Sequence, residues 1–195
     1  MIVNKKIIVS LIAGTVMMSA SITSMAAAHP VGTHNTTVSG SFVSPTCMVT
    51  EWPQDISFDP ISVADWRNYS LQDTVQVKSQ GQFVLTGCPA NTTMRYSATA
   101  ETLAQGNPYQ ALAKDADDGQ TLIGLGISFS SSESGTTVWK LDGTEGNLGT
   151  TDNQGSLSVP TFAFLKKRGN SLAKNGQVWD GGNFNQVNTY TISYD

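Results

Sequence analysis

Apolar and polar residues alternate in many short runs along this chain, while helical periodicity is scarce. Residues 40–49 alternate up to the first cysteine, the period-two signature of a strand with one buried face. Ile56, Phe58 and Ile61 mark a second strand, bounded by Pro53 and interrupted by Pro60. Residues 74–77 and 82–86 lead into Cys88 with Phe83 and Leu85 on one face, and Met94, Tyr96 and Ala98 begin another strand. In the middle, Ile123, Leu125, Ile127 and Phe129 share one parity, and the run 138–141 ends at Asp142-Gly143. Leu157, Val159, Phe162, Phe164 and Leu165 form the penultimate strand around Pro160. That proline cannot donate to a ladder, so it should sit at an edge or a bulge. Residues 62–67 and 109–114 read as two short helices.

The last strand carries the clearest pattern. Phe184, Tyr190, Ile192 and Tyr194 share one parity, which gives an aromatic, apolar face running to the residue before Asp195. Chain ends are usually frayed and polar. A terminus with this face is structural and suited to contact. Short strands between Gly-, Ser- and Asn-rich turns indicate an all-β sandwich or barrel, with no repeat of solenoid or propeller period. Residues 142–155 read as a long loop.

Composition narrows the setting. Lys5 and Lys6 precede an apolar run from Ile7 to Met18, and small residues follow at Ser24, Ala26, Ala27 and Ala28, the plan of a secretory leader. The apolar run is shorter than the roughly 20 residues of a membrane helix. The leader therefore spans residues 1–26, with cleavage as late as 28 also fitting, and the mature protein is expected to be exported and soluble. Of 11 basic and 15 acidic residues, the leader takes two lysines, which leaves a formal charge of −6. That balance gives no electrostatic case for nucleic acid or anionic membranes. Lys166-Lys167-Arg168 is the single basic cluster and reads as a solvated turn.

Cys47 and Cys88 are the two cysteines. An even count in an oxidising compartment argues for one disulfide, the alternative being a free reactive pair. Both histidines, His29 and His34, lie in the N-terminal tail, so neither a metal site nor a Ser-His or Cys-His centre is supported. Asp115-Ala116-Asp117-Asp118-Gly119 is a superficial calcium-loop match. It has Gln120 and Gly126 where the EF-hand needs glycine and glutamate, and reads as a solvated acidic turn. No cofactor or catalytic constellation emerges, so the chain is not expected to be an enzyme. Trp52, Trp66, Trp139 and Trp179 could serve a sugar site, although packing is the commoner fate of lone tryptophans.

Taken together, the leader, the polar N-terminal tail, Cys47, the spacing Phe83-x-Leu85-x-x-Cys88, Gly182 fourteen residues from the end and the penultimate Tyr194 resemble a subunit of bacterial chaperone–usher fimbriae, similar to the type 1 pilin group. Leu141-Asp142-Gly143 and Val159-Pro160 also look like pilin strand ends. The resemblance implies an incomplete immunoglobulin-like β-sandwich, the pilin fold, lacking its last strand. Residues 27–38 would be an N-terminal donor-strand extension and 39–195 the pilin domain. A periplasmic pilus chaperone would first fill the groove beside the last strand. The tail of a neighbouring pilin subunit would then replace it at the outer-membrane usher, in the strand-addition mode described for pilins.

On that resemblance, Gly182, Phe184, Tyr190, Ile192 and Tyr194 form the chaperone- and subunit-binding strand. Asp195 offers its terminal carboxylate to basic groups of the chaperone, and Gly182 permits close backbone approach. The donor positions are Val31, Gly32, His34, Thr36 and Val38. Val31 and Val38, the large apolar ones, have opposite parity, so the donor is unusually polar. The expected function is a structural subunit of an adhesive surface fimbria, exported to the periplasm and displayed on the cell. The alternatives are a minor or tip-adaptor pilin, or a secreted β-sandwich module that binds a host glycan or protein receptor.

Overall fold

The computed structural model describes residues 35–41 and 46–195. The chain divides into two units at residue 42, and the fold is that of the second. Its strands are β1 (Met48–Glu51), β2 (Thr74–Thr86), β3 (Thr93–Ala100), β4 (Leu103–Ala104), β5 (Asn107–Asp115), β6 (Thr121–Ser130), β7 (Gly146–Thr150), β8 (Leu157–Lys167), β9 (Ala173–Lys174), β10 (Gln177–Val178), β11 (Phe184–Asn185) and β12 (Asn188–Tyr194). One short helix, α1 (Val63–Asn68), lies between β1 and β2.

The strands build two sheets, as the alternating pattern requires. The larger runs β1-β2-β8-β6-β5-β11, with β4 on β5 and the β9–β10 hairpin on β6. The smaller runs β12-β3-β7. Every ladder is antiparallel. Phe83 and Leu85 of β2, Ile127 and Phe129 of β6, Ala163 and Leu165 of β8, and Met94, Tyr96 and Ala98 of β3 are buried in one core. This is the sandwich the sequence indicates.

Pro160 lies where expected. It pairs with Gln82 beside a register shift between Ser79 and Gln82, and β6 pairs with β8 only from Phe162 onward. Its missing N–H therefore costs no central ladder bond. Helix α1 also forms, because Ser62 Oγ accepts from the Asp65 amide at 3.0 Å as an N-cap.

Several expectations are corrected. Among the described residues the first strand is Met48–Glu51, with Cys47 just before it, and residues 42–45 of the expected strand lie outside the described residues. Residues 52–62 form no strand. Prolines 53 and 60 lack donors, and the Gln76 side chain holds the backbone of Asp59 in a two-way bond, at 2.9 and 3.1 Å. Ile56, Phe58 and Ile61 nonetheless pack against the core. Residues 109–114 belong to β5 and pair with β6; Ala and Leu favour a helix there, but the ladder partner overrides that preference. Residues 142–155 contain β7. Within β6 the parity breaks: Leu122 is fully buried while Ile123 is 56 % exposed, with Gly124 at φ +101° between the two registers.

The acidic turn is exposed over residues 116–120, with Asp115 alone buried, but the basic cluster is no solvated turn. Lys167 ends β8, is buried, and donates from Nζ to the carbonyls of Arg67 (3.1 Å) and Tyr69 (2.6 Å). Those carbonyls stand at the C-terminal end of α1, where a cation meets the negative end of the helix dipole. Asp115 is likewise buried, and the groups that hold it shape the site.

Candidate functional site: the cleft beside the C-terminal strand

Strand β12 pairs with β3 through seven register positions, from Asn188 opposite Ala100 to Tyr194 opposite Met94. Among the described residues it has no ladder on its other side, so it is an edge strand whose unpaired N–H and C=O groups face outward. Its alternation turns Tyr190 and Ile192 toward the core. The Tyr190 ring meets Phe83, Trp139 and Phe129 edge-on, with centroids at 5.5, 6.1 and 6.4 Å. Tyr194, at the far end, is 43 % exposed.

Phe184 does not share that strand. It lies in β11, opposite Asp115 of β5 in the larger sheet, and stacks on Phe58 at 6.4 Å. The chain crosses from one sheet to the other between residues 185 and 188. A change of sheet resets the relation between the two parities, so the four-residue face read from the sequence is split in two. Gly182 also stands outside the strand. It has φ +141°, and a Cβ there would lie 3.3 Å from the Trp179 ring, so its close approach is to that indole.

A cleft of about 720 Å³ opens at this crossing. Leu125, Ile127 and Phe129 of β6 and Ala163 and Leu165 of β8 line it, with residues 53–63 along one wall and 181–188 along the other. Its lining carries two charged residues, Asp55 and Asp59. Four lining residues present buried polar atoms with no partner: Trp66 Nε1, Gln80 Oε1, Gln186 Oε1 and the Tyr190 hydroxyl. Burial pushes the Tyr190 phenol well above its ordinary value. A buried polar atom without a partner is costly, and the packing around this cleft carries four.

One wall is braced from behind. Asp115 Oδ2 accepts from Lys174 Nζ at 2.6 Å and from Trp179 Nε1 at 2.9 Å, and Lys174 also reaches Asp118 at 2.8 Å. Lys174 holds the carboxyls of Asp115 and Asp118 below the usual range, and they raise Lys174 in return. The brace fixes the Trp179 indole, itself part of the lining. Sequence reading missed it, because its three side chains come from two separate segments and the acids looked solvated.

Cys47 and Cys88 are joined as a disulfide, next to the register of β1 on β2. Asp195 pairs through its side chain with Arg95 at 3.1 Å. Of the donor positions, Val31, Gly32 and His34 lie outside the described residues. Thr36 and Val38 are exposed and outside any strand, Val38 at 95 %. Trp66, Trp139 and Trp179 are buried and Trp52 is 42 % exposed.

No family model and no curated protein matches the chain. Solved structures do. One is from a chaperone–usher pilus studied for the molecular basis of rod uncoiling: 18% identity over 87% of this chain and 100% of the other, with a TM-score of 0.56. A second is the P pilus rod subunit PapA: 18% identity over 76% of this chain and 99% of the other, with a TM-score of 0.54. Residues 46–195 have the incomplete immunoglobulin-like fold of chaperone–usher pilus subunits.

Proposed function

We propose that the chain is a structural subunit of a surface fimbria and that its cleft accepts an extended strand from another protein. The single observation that carries this reading is the free edge of β12 beside a cleft floored by core residues of β6 and β8. An added strand would pair with the β12 backbone and cover the apolar side chains of the cleft walls that are still partly exposed, Phe58, Phe184 and Val187, at about 25 cal/mol per Å².

In this reading Tyr190, Ile192 and Tyr194 belong to the acceptor strand. Gly182 and Phe184 shape the approach to it, and Asp195 leaves its terminal carboxylate for a basic partner. A periplasmic chaperone occupies the cleft first, and at the outer-membrane usher the tail of a neighbouring subunit replaces it. The chain's own donor would be residues 27–38, following a leader of residues 1–26, with Val31, Gly32, His34, Thr36 and Val38 in the cleft of the next subunit. The process involves no catalysis.

The test is export to a periplasm with and without a fimbrial chaperone, for the whole chain and for a chain lacking residues 189–195. The whole chain should be recovered only with the chaperone, and the truncated one should fail to bind it. A whole chain that accumulates equally well as a soluble monomer in both conditions overturns the proposal.

A further inference from the structure

The floor of the cleft is covered in this structure. Leu125, Ala163 and Leu165 are each at most 2 % exposed, and the cover comes from both walls. Phe58, in the wall 53–62, stacks on Phe184 of β11 with ring centroids 6.4 Å apart. The first wall is bonded to β2 and Phe184 lies on β5. Strands β8 and β6 stand between those two in the sheet, so the ring contact bridges the floor. Ile56 and Ile61 pack on the core beside it.

The two walls are held differently. In the wall 181–188, β11 has a ladder on β5. The Asn183 carbonyl accepts from the Ala116 amide at 2.9 Å, and the Val187 carbonyl from the Glu101 amide at 3.1 Å. Behind them the Asp115 brace fixes Trp179. Residues 53–62 belong to no strand. One backbone bond ties them to β2, from the Gln54 amide to the Gln80 carbonyl at 2.7 Å. The other ties are made by half-buried side chains of β2. Gln80 Nε2 donates to the Gln54 carbonyl at 3.3 Å, Gln76 holds the Asp59 backbone in its two-way bond, and Lys78 pairs with the Asp59 carboxylate at 2.8 Å.

Gln76 and Lys78 stand opposite Leu165 and Ala163, so they share the face of the floor. A strand buried there would carry apolar residues; β2 carries fasteners instead. A segment held by side chains that water can reach opens locally at low cost. Trp66 Nε1 and Gln80 Oε1, on the same side, are buried without partners. Opening returns both to water, which offsets part of the burial lost by Ile56, Phe58 and Ile61. We infer that residues 53–62 are a latched strap. Phe58 on Phe184 holds it shut, and a strand reaches the floor only when the strap lifts from β2 while the wall 181–188 stays in place. The inference rests on the proposed function for what the opening admits, but the opening itself is measured without a partner.

Both native cysteines are in the disulfide, so Ala163→Cys adds a single free thiol at the floor. Ala98→Cys does the same at a fully buried position of β3, outside the cleft lining. Each oxidised protein, refolded as an isolated chain, is alkylated with iodoacetamide under native conditions. The Ala163→Cys thiol should react at least about tenfold faster than the Ala98→Cys thiol, because local opening precedes global unfolding. Adding Phe58→Ala should widen that ratio by about tenfold. Gln76→Ala, which removes both bonds to Asp59 and leaves the stack in place, should widen it by about fivefold. Equal rates at the two thiols, or a ratio that neither variant changes, would overturn the strap. A chain that opens as expected yet is recovered equally with and without a chaperone overturns the proposed function and leaves the strap standing.

Discussion

Asp115 is 3 % exposed yet keeps three donors on its carboxylate: Lys174 Nζ, Trp179 Nε1 and the Asp117 amide. The Lys174 bond is the largest cause of its lowered pKa. Because the folded value lies below the unfolded one, its stabilisation is present above the ordinary value of 3.8 and is lost as pH falls through the lower, folded value. Asp118, lowered by the same lysine, adds to that acid limb. Asp115→Asn should therefore lower the Tm at neutral pH and flatten the fall in Tm between about pH 5 and pH 2. A variant whose acid limb is as steep as the parent's would show that the brace contributes nothing. Lys167 makes the complementary case, a buried cation bonded to two helix-end carbonyls. Lys167→Met should lower the unfolding free energy by about 1.5–3 kcal/mol, read as a shifted denaturant midpoint at unchanged slope. Its neighbour Lys166→Gln should leave the midpoint where it is.

At the scale of elements, alternation was enough to find β2, β3, β6, β8 and β12, because each lays one parity of apolar residues on a single core. What it could not find depended on distant partners. Residues 109–114 carry Ala-Leu-Ala-Lys, a sequence any helix would accept, and only the ladder to β6 makes them a strand. Phe184 matches the parity of Tyr190 along the chain, but the crossing between β11 and β12 separates them. The apolar floor of the cleft comes from β6 and β8, so the sequence pointed to one wall of the site and not to its base. Tyr190 ties β12 to that base. Tyr190→Ala should cost about 3–5 kcal/mol, as large aromatic truncations in cores do. Tyr190→Phe, which removes a hydroxyl without a partner, should be neutral or slightly stabilising in a denaturant titration. A large loss in the phenylalanine variant would mean that the hydroxyl is bonded after all.

For the molecule as a whole, the question is what completes the sandwich. The disulfide closes a stretch with a sequence separation of 41, and loop closure of that length is worth about 4 kcal/mol in the chain-entropy account. Reduction should lower the Tm accordingly, but it leaves the β12 edge as open as before. Only an added strand closes it. A copy of residues 27–41 joined after Asp195 by a flexible linker can supply one within a single chain. Strand β12 has seven residues, which span about 23 Å at 3.3 Å each. A Gly/Ser linker of about 20 residues has an r.m.s. reach near 25 Å, so the copy can reach the cleft from either end of β12. On the proposed function this chain should be recovered as a monomer without a chaperone and melt well above the parent. Replacing the copied Val31, His34, Thr36 and Val38 together with aspartate should remove the gain, because the cleft already carries Asp55 and Asp59 and would repel a further acid. If the copy raises the Tm no more than its aspartate version does, the cleft takes some other strand, and residues 27–38 are not its donor.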